Sequence, residues 1–147
     1  MNRQRIALSP EQLPPQFRAL LEDAPVYDSS CSAEARVFFF DKDGGVYLKK
    51  APKGSLKTEA SMTSFFHSRG LGTEVIAYES LDTDWMLTRA VPGEDCTHRM
   101  YMEKPKKLCD TLAKALRMLH ETPSRDCPVP DRTADYLAAA RRNHEKN

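Results

Sequence analysis

In the stretch GGVYLKKAPKGSLKTEASM, residues 44–62, an apolar run closes on Lys49 and Lys50, and a lone glutamate, Glu59, follows in a helix-like segment. Side chains alternate along a strand, so Tyr47 and Lys49 share one face while Val46, Leu48 and Lys50 share the other. If the helix bearing Glu59 crosses the Lys49 face, its carboxylate meets that lysine and holds the ammonium toward phosphate oxygens as a point charge. A strand lysine and a helix glutamate are also an ordinary pair of solvated side chains, and on spacing alone both readings stand.

Two further stretches could serve the same chemistry. DSSCSAEARVF, residues 28–38, places small residues between two strand-like runs. Such a loop can lie over phosphates and offer backbone N–H groups and the hydroxyls of Ser30 and Ser32; it can equally be a plain polar hairpin. It contains no glycine and so matches neither the Walker pattern nor GxGxxG. WMLTRAVPG, residues 85–93, is an apolar strand that leaves its sheet through Pro92 and Gly93. Freed backbone at such a junction can pair with a flat heterocycle, because ligands favour domain junctions. Otherwise it is a linker.

These residues need a frame. At 147 residues and 40% hydrophobic, the chain can bury one core. Its 22 basic and 21 acidic residues leave a net charge of +1, which gives no overall field toward nucleic acid or an acidic membrane. No apolar run approaches the roughly 18 residues of a membrane span, and the start MNRQRIALSPEQLPP lacks the apolar centre of a secretion signal. The expectation is a cytoplasmic protein. Cys31, Cys96, Cys109 and Cys127 form no CxxC pair and have no histidine at ligand spacing, so reduced, structural cysteines are expected rather than a zinc site or disulfides.

Along the chain, SPEQLPPQFRALLED predicts a short helix with Leu13, Phe17, Leu20 and Leu21 on its apolar side. The Val, Tyr and Phe runs at Arg36 to Phe40 and Val46 to Lys50, joined by DKDGG, predict an antiparallel hairpin. Ser55 is placed to cap a helix reaching about Ser68, with Met62, Phe65 and Phe66 toward a core and Gly70 as its stop. TEVIAYES and DWMLTRAV, separated by LDT, predict a second antiparallel pair. From Pro105 to Glu121 the apolar residues Leu108, Leu112, Ala115, Leu116 and Leu119 recur at the helical period, and TADYLAAARRNHEKN starts another helix. The fold class is therefore α+β, an antiparallel sheet with one helix inserted after its third strand, followed by helices, with the boundary near Val91 to Gly93.

Taken together, the segments SAEARVF and GVYLK, TEASMTSFF, WMLTRAVPGED and LAKALRMLHETPSRDCP resemble the aminoglycoside phosphotransferases that act on the 3-prime hydroxyl, relatives of the protein-kinase fold. The resemblance runs from about residue 25 to 142. It implies a small ATP-binding lobe and hinge over residues 1–91 and the beginning of a helical lobe over residues 92–147. It also implies ATP with magnesium as cofactor, an aminoglycoside as acceptor in a complete enzyme, and antibiotic resistance as the outcome. By position, Lys49 would contact the α- and β-phosphates, Glu59 would be its ion-pair partner, and Ser32 would cover the phosphates. The Arg89 carbonyl and the Val91 N–H would pair with adenine, with Thr88 beside the pocket. His120 matches a family position and reads as a structural helix-end histidine.

Phosphoryl transfer in that family needs a His-Gly-Asp loop followed by Asn, and later an aspartate that holds magnesium. Neither occurs here, and His144 has no aspartate after it. No catalytic or metal residue can be named, although positioning and electrostatics are nearly the whole of this catalysis. The expectation is the first half or so of such an enzyme, a nucleotide lobe without turnover of its own. The alternatives are a non-catalytic interaction or regulatory module that uses its uncovered helix faces, including for self-association, and a marginally folded fragment.

Overall fold

The computed structural model describes residues 4–20, 22 and 24–144. Six strands form one antiparallel sheet: β1 (Gln4–Ile6), β2 (Val26–Asp28), β3 (Arg36–Phe40), β4 (Val46–Pro52), β5 (Val75–Ser80) and β6 (Thr83–Arg89), in the order β1-β2-β3-β4-β6-β5. Val, Phe and Tyr fill β3 and β4 because branched and aromatic side chains suit a pleated, half-buried surface. The edge strand β1, too short and polar to show a period, goes unforeseen in the sequence. The inserted helix therefore follows the fourth strand, not the third.

Register sorts the side chains onto two faces. Phe38, Phe40, Val46, Leu48, Trp85 and Leu87 point to one face and form the larger core with Leu13 and Phe17. The chain reaches that face through a 3-10 turn at Pro10–Gln12 and helix α1 (Pro15–Leu20), and Phe17 lies 6.3 Å from the Trp85 ring, centroid to centroid. Leu13 and Phe17 thus pack as the spacing predicts; Leu21 and the Leu20 side chain lie outside the described residues. Ala51 and Met86 point to the other face, where helix α2 (Lys57–His67) covers them with Leu56 and Ala60.

Two expectations about α2 need correction. Leu56, not Ser55, stands at the N-cap, and the Ser55 hydroxyl donates to the Pro52 carbonyl at 2.6 Å inside the preceding turn. Met62, Phe65 and Phe66 are only half-buried, and the buried helix residue is Ala60, because a small side chain lets the helix lie close to the sheet. Phe65 instead stacks under the Arg69 guanidinium, 3.6 Å from its centroid. Gly70 does stop the helix: at φ +73° it lets the Leu71 N–H reach back to the Phe66 carbonyl at 2.9 Å.

The β3–β4 turn passes through Asp43, Gly44 and Gly45, all at positive φ. A Cβ on Gly45 would stand 2.6 Å from the Phe39 ring and 3.1 Å from the Ala90 Cβ, whereas one on Gly44 would meet nothing. Gly45→Ala is therefore expected to destabilise the chain by about 1–3 kcal/mol and Gly44→Ala by less, read as the denaturant midpoint of each variant.

Beyond Arg89 the chain is helical: α3 (Arg99–Met102), α4 (Pro105–Glu121) and α5 (Thr133–His144). Pro105 opens α4 at a position where its missing N–H costs nothing. The α4 apolar stripe is left in water among the described residues, with Leu112, Leu116 and Leu119 all exposed. All four cysteines are free; three are exposed, and only Cys127 packs, its Sγ 3.8 Å from the Met62 Sδ. None of the described helices is long and apolar enough to cross a membrane.

Candidate functional site

Lys49 and Met86 are partners in register, as are Ala51 and Asp84, so all four side chains project from the face that α2 crosses. From the first turn of α2, Glu59 reaches the Lys49 ammonium with both carboxylate oxygens, at 2.7 and 2.9 Å. The structure brings together two residues that strand alternation and helix placement only allowed to meet. The pair is half-open, with 29% of the lysine side chain and 43% of the glutamate exposed. An ammonium carries three donors, so Lys49 keeps capacity for an anion while Glu59 fixes its direction.

The start of α2 is bonded to a residue that no motif in the sequence singles out. Asp84 on β6 is wholly buried, and its carboxylate accepts the Leu56 N–H at 2.9 Å, the Ser80 hydroxyl at 2.6 Å and the Tyr78 hydroxyl at 3.1 Å. Burial pushes its pKa up, but the hydrogen bonds from Ser80, Gly54, Leu56 and Tyr78 outweigh burial and bring it down to about 2. The one visible signal was an aspartate heading an apolar strand run, DWMLT, where it reads as the end of a turn.

A folded-state pKa below the ordinary 3.8 means that Asp84 stabilises the fold above that value and loses its contribution as pH falls toward about 2. In acid titrations followed by circular dichroism, wild type is expected to lose stability more steeply between those values than Asp84→Asn does.

The loop before β3 is closed at its neck. The Ser29 N–H donates to the Val37 carbonyl at 2.8 Å, and the Val37 N–H donates to the Ser30 hydroxyl at 2.9 Å. Ser30 thus serves the loop, not its tip. Ser32 is exposed, and its hydroxyl donates to the Glu34 carboxylate, which it holds below the usual range.

At the end of β6, the Arg89 N–H donates to the Glu74 carbonyl at 3.0 Å, and the Arg89 carbonyl accepts from the Thr73 hydroxyl. A carbonyl has two lone pairs, so one remains for a further donor. The Ala90 N–H donates to the Gly45 carbonyl at 2.9 Å, which ties this exit to the β3–β4 turn. Val91 is 67% exposed and Thr88 is buried. Tyr47 pairs in register with Thr88 and lies 5.0 Å from the Phe39 ring, which in turn lies 6.2 Å from Tyr27. This aromatic row shares the Lys49 face. Met86, the register partner of Lys49, precedes Arg89 by three positions, so the two ends of the site stand about 10 Å apart along the sheet.

No group of three or more His, Cys, Asp or Glu side chains fit to hold a metal ion occurs among the described residues. His120 lies exposed in the last turn of α4.

A family model described as the phosphotransferase enzyme family matches residues 31–147, most of the chain and all of the Lys49, Glu59 and Arg89 region. The chain belongs to this phosphotransferase family. It is 40% identical over 147 residues to a probable aminoglycoside 3'-phosphotransferase of Lactococcus lactis subsp. lactis (strain IL1403), covering 99% of this chain and 56% of that protein. It is also 27% identical over 124 residues to the aminoglycoside 3'-phosphotransferase of Streptomyces fradiae, covering 75% of this chain and 46% of that protein. The chain thus spans about half the length of the curated relatives it matches. The antiparallel sheet with helix α2 inserted between β4 and β5 is the α+β arrangement expected of this phosphotransferase family.

Proposed function

We propose that this chain is the nucleotide-binding part of an aminoglycoside O-phosphotransferase, with residues 1–91 as its nucleotide lobe and hinge and residues 92–147 as the beginning of its helical lobe. The observation that carries the reading is the Lys49–Glu59 pair, a directed and half-open cation at the end of an aromatic-lined sheet face. ATP, when bound, supplies the γ-phosphoryl group for an aminoglycoside hydroxyl. Lys49 holds the α- and β-phosphates, Glu59 orients Lys49, and the loop bearing Ser32 lies over the phosphates. The Arg89 carbonyl and the Val91 N–H receive adenine, and Tyr47 gives it a ring to lie against. The uncovered α4 stripe supports a helical lobe completed by further helices. The catalytic base and the magnesium ligands belong to sequence that this chain does not contain, so it binds nucleotide without turning it over.

Calorimetric titration of the folded 147-residue chain with Mg-ATP tests this. Saturable binding at one site is expected, and a folded chain that takes up no nucleotide overturns the reading. The acceptor class is tested by fusing the chain to the remainder of the Lactococcus lactis relative: phosphate transfer to an aminoglycoside supports it, and transfer confined to unrelated alcohols refutes it.

A further inference from the structure

We propose that Asp84 is a positioning residue for the nucleotide site: it fixes the first turn of α2 to the sheet and through that turn sets Glu59 against Lys49. The proposal rests on the reading of Lys49 as the phosphate contact. Helix α2 has no side-chain cap of its own, and the residue at its N-cap is the apolar Leu56. The Leu56 N–H is instead taken by Asp84, 28 positions along the chain and on another element. Cap residues normally belong to the segment they cap, so a cap supplied from β6 makes the start of the helix a tertiary contact. Glu59 follows Leu56 by three residues, less than one helical turn, so the carboxylate that meets Lys49 moves with the capped turn.

The remaining bonds of Asp84 explain why an acid stands there. Ser80 and Tyr78 on β5 and the backbone of Gly54 also donate to it. A carboxylate is acceptor-only and can take about four such donors, whereas an asparagine amide would turn two N–H groups toward donors. The circuit closes through the sheet, because Asp84 is in register with Ala51, two residues from Lys49 on the same face of β4. Sheet, helix start, glutamate and lysine are thereby held in one loop of contacts.

A purely structural aspartate would stabilise the chain without this directional effect. The discriminating readout is the ammonium nitrogen signal of Lys49 in the 15N-labelled chain, assigned by its loss in Lys49→Arg. In wild type that signal is expected to be protected from exchange. Asp84→Asn is expected to abolish the protection, while Val46→Ala, a cavity on the opposite face, keeps it. Should Asp84→Asn fail to fold, Ser80→Ala and Tyr78→Phe each remove one donor and are expected to weaken the protection part-way. A Lys49 signal unprotected in wild type, or unchanged in folded Asp84→Asn or in both milder variants, overturns the proposal. Mg-ATP binding adds a second test. Asp84→Asn should weaken affinity roughly tenfold in the wild-type background and change nothing further in Glu59→Gln, whereas additive losses refute transmission through Glu59. If wild type binds no Mg-ATP, the nucleotide reading falls, and the ammonium signal still decides the role of Asp84.

Discussion

Lys49→Ala should weaken Mg-ATP binding about 10- to 100-fold while leaving the fold intact, because charge-assisted hydrogen bonds to phosphate are worth about 1.5–3 kcal/mol. The expectation separates affinity from stability. The Lys49–Glu59 pair is part-exposed, and pairs of that kind add at most about 1 kcal/mol to folding. Thermal unfolding of the variant should therefore stay within a few degrees of wild type while calorimetry shows the affinity loss. Glu59→Gln should fall between the two, since it leaves the cation in place but removes what directs it. A Lys49→Ala chain that binds Mg-ATP as well as wild type would remove Lys49 from the site.

One position earlier on β4 the outcome inverts. Leu48 has no exposed surface and packs within the larger core of Phe17, Phe38, Phe40, Trp85 and Leu87. Leu48→Ala removes buried methyl groups and leaves a cavity that the flanking strands cannot fill, at a cost of about 2–5 kcal/mol. Against a typical total of about 5–15 kcal/mol this is a large fraction, and a fall in Tm of roughly 10 °C or more is expected. At matched fractions folded, its affinity for Mg-ATP should be that of wild type. Lys50, next along, points to the same face as Leu48 and lies 4.9 Å from the Trp85 ring centroid, a packing role unlike that of its neighbour Lys49.

That contrast between consecutive residues shows which parts of the molecule were legible in the sequence. Alternation along β4 assigns Lys49 and Leu48 to opposite faces before any coordinates, and the DKDGG turn, Gly70 and Pro105 mark element ends through local backbone rules. The Lys49–Glu59 contact was readable only as a possibility, because its existence depends on which face α2 crosses. The start of α2 was misread for a related reason. Ser55 has the chemistry of a cap, but a stronger acceptor, Asp84, arrives from a distant strand, and sequence neighbours say nothing about it. The strand β1 went unseen because three residues with no period owe their structure wholly to pairing with β2. Met62, Phe65 and Phe66 looked like core residues by their apolarity, yet the close approach of helix to sheet went through Ala60.

The placement of β6 between β4 and β5 also has a bearing on the order in which the protein assembles. Hairpins β3–β4 and β5–β6 each join neighbours in sequence and close short loops, so the entropic cost of pairing is small within each. The β4–β6 seam joins them only after a segment of roughly 30 residues, α2 included, has been drawn closed, and that closure is the costlier step. Glu59 stands only ten positions from Lys49, inside the segment that this closure draws in, whereas Asp84, which accepts the Leu56 N–H at the start of α2, arrives with β6. With Asp84 in the positioning role proposed above, the Lys49–Glu59 pair takes its final geometry only when the two halves of the sheet have joined.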